Sequence, residues 1–428
     1  MIRDKELILY REFKHRDILD DAAFIAASEN GSPDVLKETM NRFTGSLVEL
    51  AVSHGYKGNL WCAYLTYLIA NCENAYSTSC EMRGESDGTL REVALHDFSI
   101  FREMFALDLK ELDRKCQTDN AHLIEDYSGT DERSRMFNKR IRDRIIELRD
   151  QLVEAASDED FAGKVAQFYK EFGVGKFGLH KAFRVEHKDD AAVIEPITNI
   201  LHVYLEDLVG YESAKKKLID NTEAFIEGRP CNNCLLFGDA GTGKSSCIKG
   251  ILNRYYERGL RIIEIYKHQF RDLSAVISQI KNRNYRFIIF MDDLSFEDFE
   301  TDYKYLKAVI EGGLEKKPDN VLIYATSNRR HIVREKYTDK EDRDNDLHTN
   351  DTVQEKLSLS YRFGETIFFA RPDKKLFETI VKTLAERYGI TMEEDELLLA
   401  ANKWELSHGG LSGRTAQQFV DHLLGLQG

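Results

Sequence analysis

Residues 234–246 read CLLFGDAGTGKSS, an apolar run of strand type that breaks into glycines and ends on a lysine and two serines. Gly238, Gly243, Lys244 and Ser245 stand in register with the pattern GxxxxGK[ST], whose chemistry is the cradling of phosphate groups. Each residue type has a physical reason to be there. Glycines let successive backbone N–H groups turn inward around anionic oxygens, so Gly238, Asp239, Ala240, Gly241, Thr242 and Gly243 form the candidate loop. Lys244 supplies a point charge to the outer phosphates, and the Ser245 hydroxyl, with Ser246 beside it, suits Mg2+. The segment SSCIKGILNRYY puts Ile248, Ile251, Leu252 and Tyr255 on one face, which predicts a helix starting where the anion would sit.

From about residue 200 onward, short β-branched runs alternate with helical segments: CLLFG, LRIIEIY, RFIIFMDD, NVLIYATSN and ETIFFARP. The alternation predicts an α/β P-loop fold, a parallel five-stranded sheet with right-handed helical crossovers. RFIIFMDD ends on Asp292, expected to hold Mg2+ through water, with Asp293 beside it. The strand LRIIEIY lies between the loop and this carboxylate strand, unlike the arrangement in simple nucleotide kinases, where the two motifs tend to neighbour each other. NVLIYATSN ends on Thr326, Ser327 and Asn328, at the sheet edge where ligands gather. Asn328 has two readings: it orients an attacking water and touches the γ-phosphate, or it caps a strand-end turn. Arg362 stands just before the fifth strand, and Arg414 falls in the first turn of a late helix. A cation there opposes the helix dipole by about 0.3–1 kcal/mol, so a nearby anion would explain it; an exposed arginine is the alternative. After Pro372 only helical spacing remains, with Leu376, Ile380 and Leu384 on one face.

The first half shows helical periodicity and no strand signal, as in Phe43, Leu47, Leu50 and Ala51, or Ile141, Ile145, Leu148 and Leu152. CEMRGESDG and CQTDN read as loops between its helices. The expected organisation is a mainly α-helical N-terminal domain over residues 1–200, an α/β core over 201–371 and a C-terminal helical lid over 372–428. With 428 residues, of which 42% are hydrophobic, the chain can bury at least two cores. A net charge of -14 opposes indiscriminate attraction to nucleic acid or anionic lipid. MIRDKELILYREF fits neither a signal peptide nor a spanning helix, and seven scattered cysteines suit a reducing compartment, so a cytoplasmic location and no membrane partner are expected.

The set GDAGTGKS, FIIFMDD, ATSN, SYRFG and GLSGR, in this order, resembles AAA+ ATPases over roughly residues 200–428. Within that superfamily, LEDLVGYESAKKKLIDNTEAFIEG, FMDDLSFE, LIYATSNRRH and SGRTAQQF resemble an uncharacterised bacterial family carrying a domain-of-unknown-function label, distantly similar to helicase-loader ATPases. The resemblance implies ATP and Mg2+ as ligands. It implies an adenine pocket lined by Leu208, Val209, Gly210 and Tyr211, with Lys244 and Ser245 on phosphate and metal. Asn328 takes the sensor-one role, Arg414 the sensor-two role, and Arg362 resembles the arginine finger that reaches a neighbour's nucleotide; Arg329 and Arg330 are alternative fingers. A homo-oligomer with shared active sites follows from that likeness. The sequence departs from the superfamily at Asp293, where a glutamate would position water: aspartate is shorter by one methylene, roughly 1.5 Å of reach. A misplacement of about 1 Å can cost on the order of a hundredfold in rate, so slow, oligomer-dependent hydrolysis is expected, coupled to a protein partner held by the helical domain. The rivals are an ATP-gated adaptor with negligible turnover and a nucleic-acid-associated loader, the latter motivated by the NRRHIVREK run and not favoured by the net charge.

Other features stay outside the site. GVGKFG, residues 173–178, matches GxGxxG but follows helical spacing rather than a strand, so it reads as a turn. CNNC, Cys231 to Cys234, enters an apolar strand and lacks a second CxxC, so it reads as packing. The acidic run Tyr337 to Thr352 reads as a solvated insertion, and Glu297 as a surface carboxylate. KHQFR, after the second strand, lacks the aromatic-apolar-glycine pattern of protein-unfolding machines.

Overall fold

The computed structural model describes residues 2–28, 31–84, 86–129, 137–189, 191–198, 200, 202–296, 302–311, 318–328 and 361–427. The chain divides into two compact units, Met1–His180 and Lys181–Gly428.

The first unit is built around the helix Leu60–Asn71, whose sequence LWCAYLTYLIAN holds no charge and whose residues Leu60 to Ala70 are all buried. A helix that is apolar all round can only be a core element, and at 12 residues it is too short to span a bilayer. Among the described residues, no helix is long and apolar enough to cross a membrane. Two large polar side chains of the core are satisfied by distant backbone: Trp61 Nε1 donates to the Met104 carbonyl at 2.7 Å, and Tyr169 donates its hydroxyl to the Ile69 carbonyl at 2.7 Å. Amphipathic helices cover the core, among them Pro33–His54, Lys139–Val153 and Asp158–Phe172, and the stripes read from Phe43 and Ile141 onward face it. Two stretches expected as loops are partly helical: Cys80–Arg83 closes the helix Ala75–Arg83, and Cys116 ends Leu109–Cys116, each because its apolar residue packs inward. The expected turn at GVGKFG is only partly formed: Gly173 ends Asp158–Phe172, and residues 175–178 open the short helix Gly175–Leu179, where a Cβ on Gly178 would stand 2.5 Å from the Gly173 carbonyl carbon.

Asp97 is wholly buried and ties down the amino-terminal segment, accepting from the backbone N–H groups of Ile8, Leu9 and Tyr10 at 2.9, 2.7 and 3.1 Å. Asp97→Asn turns one acceptor oxygen into a donor facing donors, which costs about 2–4 kcal/mol. The expected result is a midpoint of thermal unfolding lowered by roughly 10 °C, measured by calorimetry.

The second unit carries a seven-stranded sheet. In chain order the strands are β1 (Ala182–Lys188), β2 (Ala191–Pro196), β3 (Cys234–Gly238), β4 (Leu260–Glu264), β5 (Arg286–Met291), β6 (Val321–Ser327) and β7 (Glu365–Phe369). Their spatial order is β2-β1-β4-β5-β6-β3-β7, all parallel except the β1–β2 hairpin. The five expected strands are β3 to β7. The expectation of five strands and of a helical domain reaching residue 200 is corrected by β1 and β2, which belong to the sheet and to the second unit. Phe183 and Val185 point inward while Arg184 and Glu186 point out, a half-buried alternation at a sheet edge that the charges disguise.

The helix Lys244–Tyr255 follows β3 and buries Ile248, Ile251, Leu252 and Tyr255 against the sheet. Beyond β7, the helices Lys374–Arg387, Glu394–Ser407 and Gly413–Gln427 form the C-terminal helical cluster with a core of its own around Phe377, Val381, Leu397 and Phe419.

Candidate functional site

β5, β6 and β3 lie side by side and parallel, so the residues after Met291, Ser327 and Phe237 converge at one edge. At the end of β3, Gly238 has φ 134°, and a Cβ there would stand 2.0 Å from the Phe369 carbonyl oxygen, so no other residue fits. The loop then closes on itself, with Thr242 Oγ1 donating to the Asp239 carbonyl at 2.9 Å. The helix Lys244–Tyr255 begins next, and Gly243 gives its N-terminus no side-chain cap. Its first-turn N–H groups and the positive end of its dipole therefore face the loop.

Lys244 is buried, and its ammonium donates to the carbonyls of Gly238 and Asp239 at 2.9 and 2.6 Å and to Asn328 Oδ1 at 3.1 Å. The Asn328 amide in turn donates to Asp293 Oδ1 at 2.7 Å. Its orientation is forced, because an ammonium only donates and an ionised carboxylate only accepts. Ser245 Oγ donates to Asp292 Oδ1 at 2.5 Å, and Thr326 Oγ1 donates to the same oxygen at 2.6 Å. The structure thus brings Lys244, Ser245, Asp292, Asp293 and Asn328 together. Asp293 has φ 51°, the left-handed region that aspartate and asparagine tolerate better than longer side chains. That backbone supplies a physical reason for aspartate at a position where glutamate was the family expectation.

The helical cluster reaches the loop through Arg414, whose backbone N–H donates to the Gly241 carbonyl at 3.3 Å. Gly241 has φ 75°, and a Cβ on it would press against Ser412 and Arg414 at 3.0–3.2 Å. Val209 packs on the cluster's core, and a Cβ on Gly210 would meet Leu376 at 2.7 Å, so both lie between the sheet and the helices. Two contributors escaped the sequence reading. The Arg371 N–H donates to Asp239 Oδ2 at 3.0 Å and its Nε to the Leu411 carbonyl at 3.3 Å, while Ser412 abuts Gly241. Arg371 is the last residue but one of the quoted run ETIFFARP, and the same strand-edge rule that singled out Asn328 would have nominated it.

Arg362 is not brought to this site. Glu365 pairs with Cys234 at the start of β3, whereas Phe369 pairs with Gly238, so Arg362 lies beyond the opposite end of the two strands. At about 3.3 Å per residue, that is more than about 13 Å from the loop. Arg329, Arg330, Glu297 and the acidic run 337–352 fall outside the described residues. Cys234 is buried in β3, where burial pushes its thiol far up, as packing requires; among the described residues no cluster of His, Cys, Asp or Glu could hold a metal on its own. KHQFR opens the short 3-10 helix Lys267–Asp272.

Residues 178–427, more than half of the chain, match the family described as Protein of unknown function (DUF815). The chain belongs to that family. The strand order β4-β5-β6-β3-β7 and the phosphate loop after β3 give this DUF815 chain a P-loop α/β fold. A curated relative, the replication factor C large subunit of Staphylothermus marinus, is 38% identical over 68 residues, which are 16% of this chain and 15% of that one. The RuvB Holliday junction branch migration motor of Thermotoga maritima aligns with 17% identity and a TM-score of 0.37 over 51% of this chain and 63% of its own. A FIGL-1 AAA domain in complex with ADP aligns with 18% identity and a TM-score of 0.36 over 53% and 74%.

The charges at the DUF815 site pull Lys244 both ways. Burial holds its pKa below the ordinary lysine value, Asp239, Asp293 and Asp292 push it up, and Arg414 pushes it down. Because the folded value is depressed, the charged form is lost at a lower pH than for a free lysine, and protonation as pH falls through that value works against stability. An anion placed between Lys244 and Arg414 reverses both effects. ATP affinity, titrated calorimetrically from about pH 7 to about pH 10, is therefore expected to stay level near neutrality and fall on the alkaline side.

Proposed function

We propose that this chain binds ATP with Mg2+ at the joined ends of β3, β5 and β6 and hydrolyses it slowly within a homo-oligomer. The cycle is coupled to assembly or to remodelling of a protein partner held by the helical unit. The observation carrying the reading is the convergence of two hydrogen-bonded sets at one sheet edge, Lys244 with Asn328 and Asp293, and Ser245 with Asp292.

The donor set fits a hard divalent cation, because Ser245 Oγ and the Asp292 carboxylate offer oxygen ligands 2.5 Å from each other. When bound, Mg2+ would be held by Ser245 and Asp292 and neutralise phosphate charge. Lys244 exchanges its carbonyl acceptors for phosphate oxygens, which accept more strongly. Asp293 and Asn328, tied to each other, orient the attacking water, and Arg414 supplies charge from the helical cluster. Val209 and Gly210 line the base pocket with Leu208 and Tyr211. Arg362, remote from its own loop, serves the nucleotide of a neighbouring copy.

A second reading, an ATP-gated adaptor with negligible turnover, is favoured by one contact: the 2.7 Å bond that engages the Asp293 carboxylate with Asn328. Calorimetric titration with ATP and Mg2+, followed by phosphate release against protein concentration, separates the two. Binding with release that rises with concentration supports the ATPase. Binding with flat, blank-level release leaves the adaptor, and an absence of ATP binding sinks both.

A further inference from the structure

Thr326 is 2% exposed at the carboxyl end of β6, and its hydroxyl makes two bonds of fixed direction. Oγ1 donates its single proton to Asp292 Oδ1 at 2.6 Å and accepts the N–H of Asp293 at 2.9 Å. The Thr326 carbonyl accepts the N–H of Leu294 at 2.7 Å. Three consecutive residues beyond β5 are therefore held by one residue of the adjacent strand. This matters because β5 ends at Met291, and nothing in a parallel ladder dictates the course of the chain after its last pair. Asp293 leaves in the left-handed region at φ 51°, a conformation that persists only where its surroundings hold it.

We infer that Thr326 is a positioning residue that sets both carboxylates, Asp292 for the metal and Asp293 for water, against the phosphate loop. The inference rests on the ATP reading above. The Thr326 hydroxyl is committed to Asp292 and Asp293, the two residues just beyond β5, and acts through them. Valine keeps the branched shape and removes both hydroxyl bonds, while serine keeps them, so Thr326→Val and Thr326→Ser form a matched pair.

The test measures ADP affinity calorimetrically, once with Mg2+ and once with EDTA, alongside ATP turnover. In EDTA, Thr326→Val is expected to bind ADP within about twofold of the wild type, because Lys244 and the loop are untouched. The gain in affinity that Mg2+ confers on the wild type should shrink about tenfold, the size seen when a partner that orients a metal ligand is lost. Turnover should fall about a hundredfold, while KM for ATP in Mg2+ rises only by about the tenfold lost in affinity, and Thr326→Ser should recover most of both losses. An unchanged Mg2+ gain and kcat in Thr326→Val overturns the positioning role while leaving the ATP reading intact. Loss of ADP binding in EDTA assigns Thr326 a general structural role and overturns it too. A wild type that binds no nucleotide under any condition removes the ATP reading and this inference together.

Discussion

In a calorimetric titration with Mg2+, the Lys244→Ala protein binds ATP about a hundredfold more weakly than the wild type and releases no phosphate. The magnitude follows from what the ammonium does. It is buried, carries the only side-chain cation of the loop, and makes three bonds that phosphate oxygens can take over. Charge-assisted bonds of this kind contribute about 1.5–3 kcal/mol each, and losing two of them already exceeds a hundredfold. The fold should survive, since burial disfavours the charge that the substitution removes. A thermal midpoint near that of the wild type identifies the loss as one of binding. Affinity retained within about threefold would detach the loop from nucleotide chemistry altogether.

Arg362→Ala is expected to leave ATP affinity unchanged and to lower turnover by about a thousandfold, the lower end of the range for an arginine acting on a transferring phosphoryl group. The strand register makes the two effects separable. Arg362 precedes β7 at the end where Glu365 meets Cys234, and the loop emerges at the end where Phe369 meets Gly238. No rotamer of an arginine spans a strand of that length, so a direct contact of Arg362 with phosphate would have to be made to the nucleotide of a neighbouring copy. Mixing Arg362→Ala with Lys244→Ala then restores activity that neither has alone, because an intact arginine from one meets an intact loop of the other. Rates that scale with total protein, and a mixture as inactive as its components, would remove Arg362 from the shared site.

The phosphate loop was legible because its chemistry is local: GDAGTGKS needs only the strand before it and the helix after it, and both flanks carry their own patterns. The central strands were legible for a related reason. Strands buried on both faces are nearly continuous apolar runs, as in RFIIF and VLIYA, and five such runs were visible. β1 and β2 were not, because an edge hairpin exposes half its residues and reads as charged chain; Asp189 at φ 49° makes its turn without a glycine to mark it. Thr326, Asn328 and Asp293 could each be named as polar groups near a strand end. Their partnership could not be read off, since Thr326 reaches Asp292 across 34 residues of chain.

The chain's own pattern therefore determines which elements form and where an anion would sit, because backbone freedom, helix dipole and apolar periodicity act over a few residues. Which side chains meet there is a matter of register between strands distant in sequence. Met291 pairs with Ala325, and that single alignment places Asp292 against Thr326, turns Asp293 into its left-handed course and brings Asn328 to Lys244. Only the folded sheet sets that alignment, because its ladder is closed by hydrogen bonds whose partners no local preference selects.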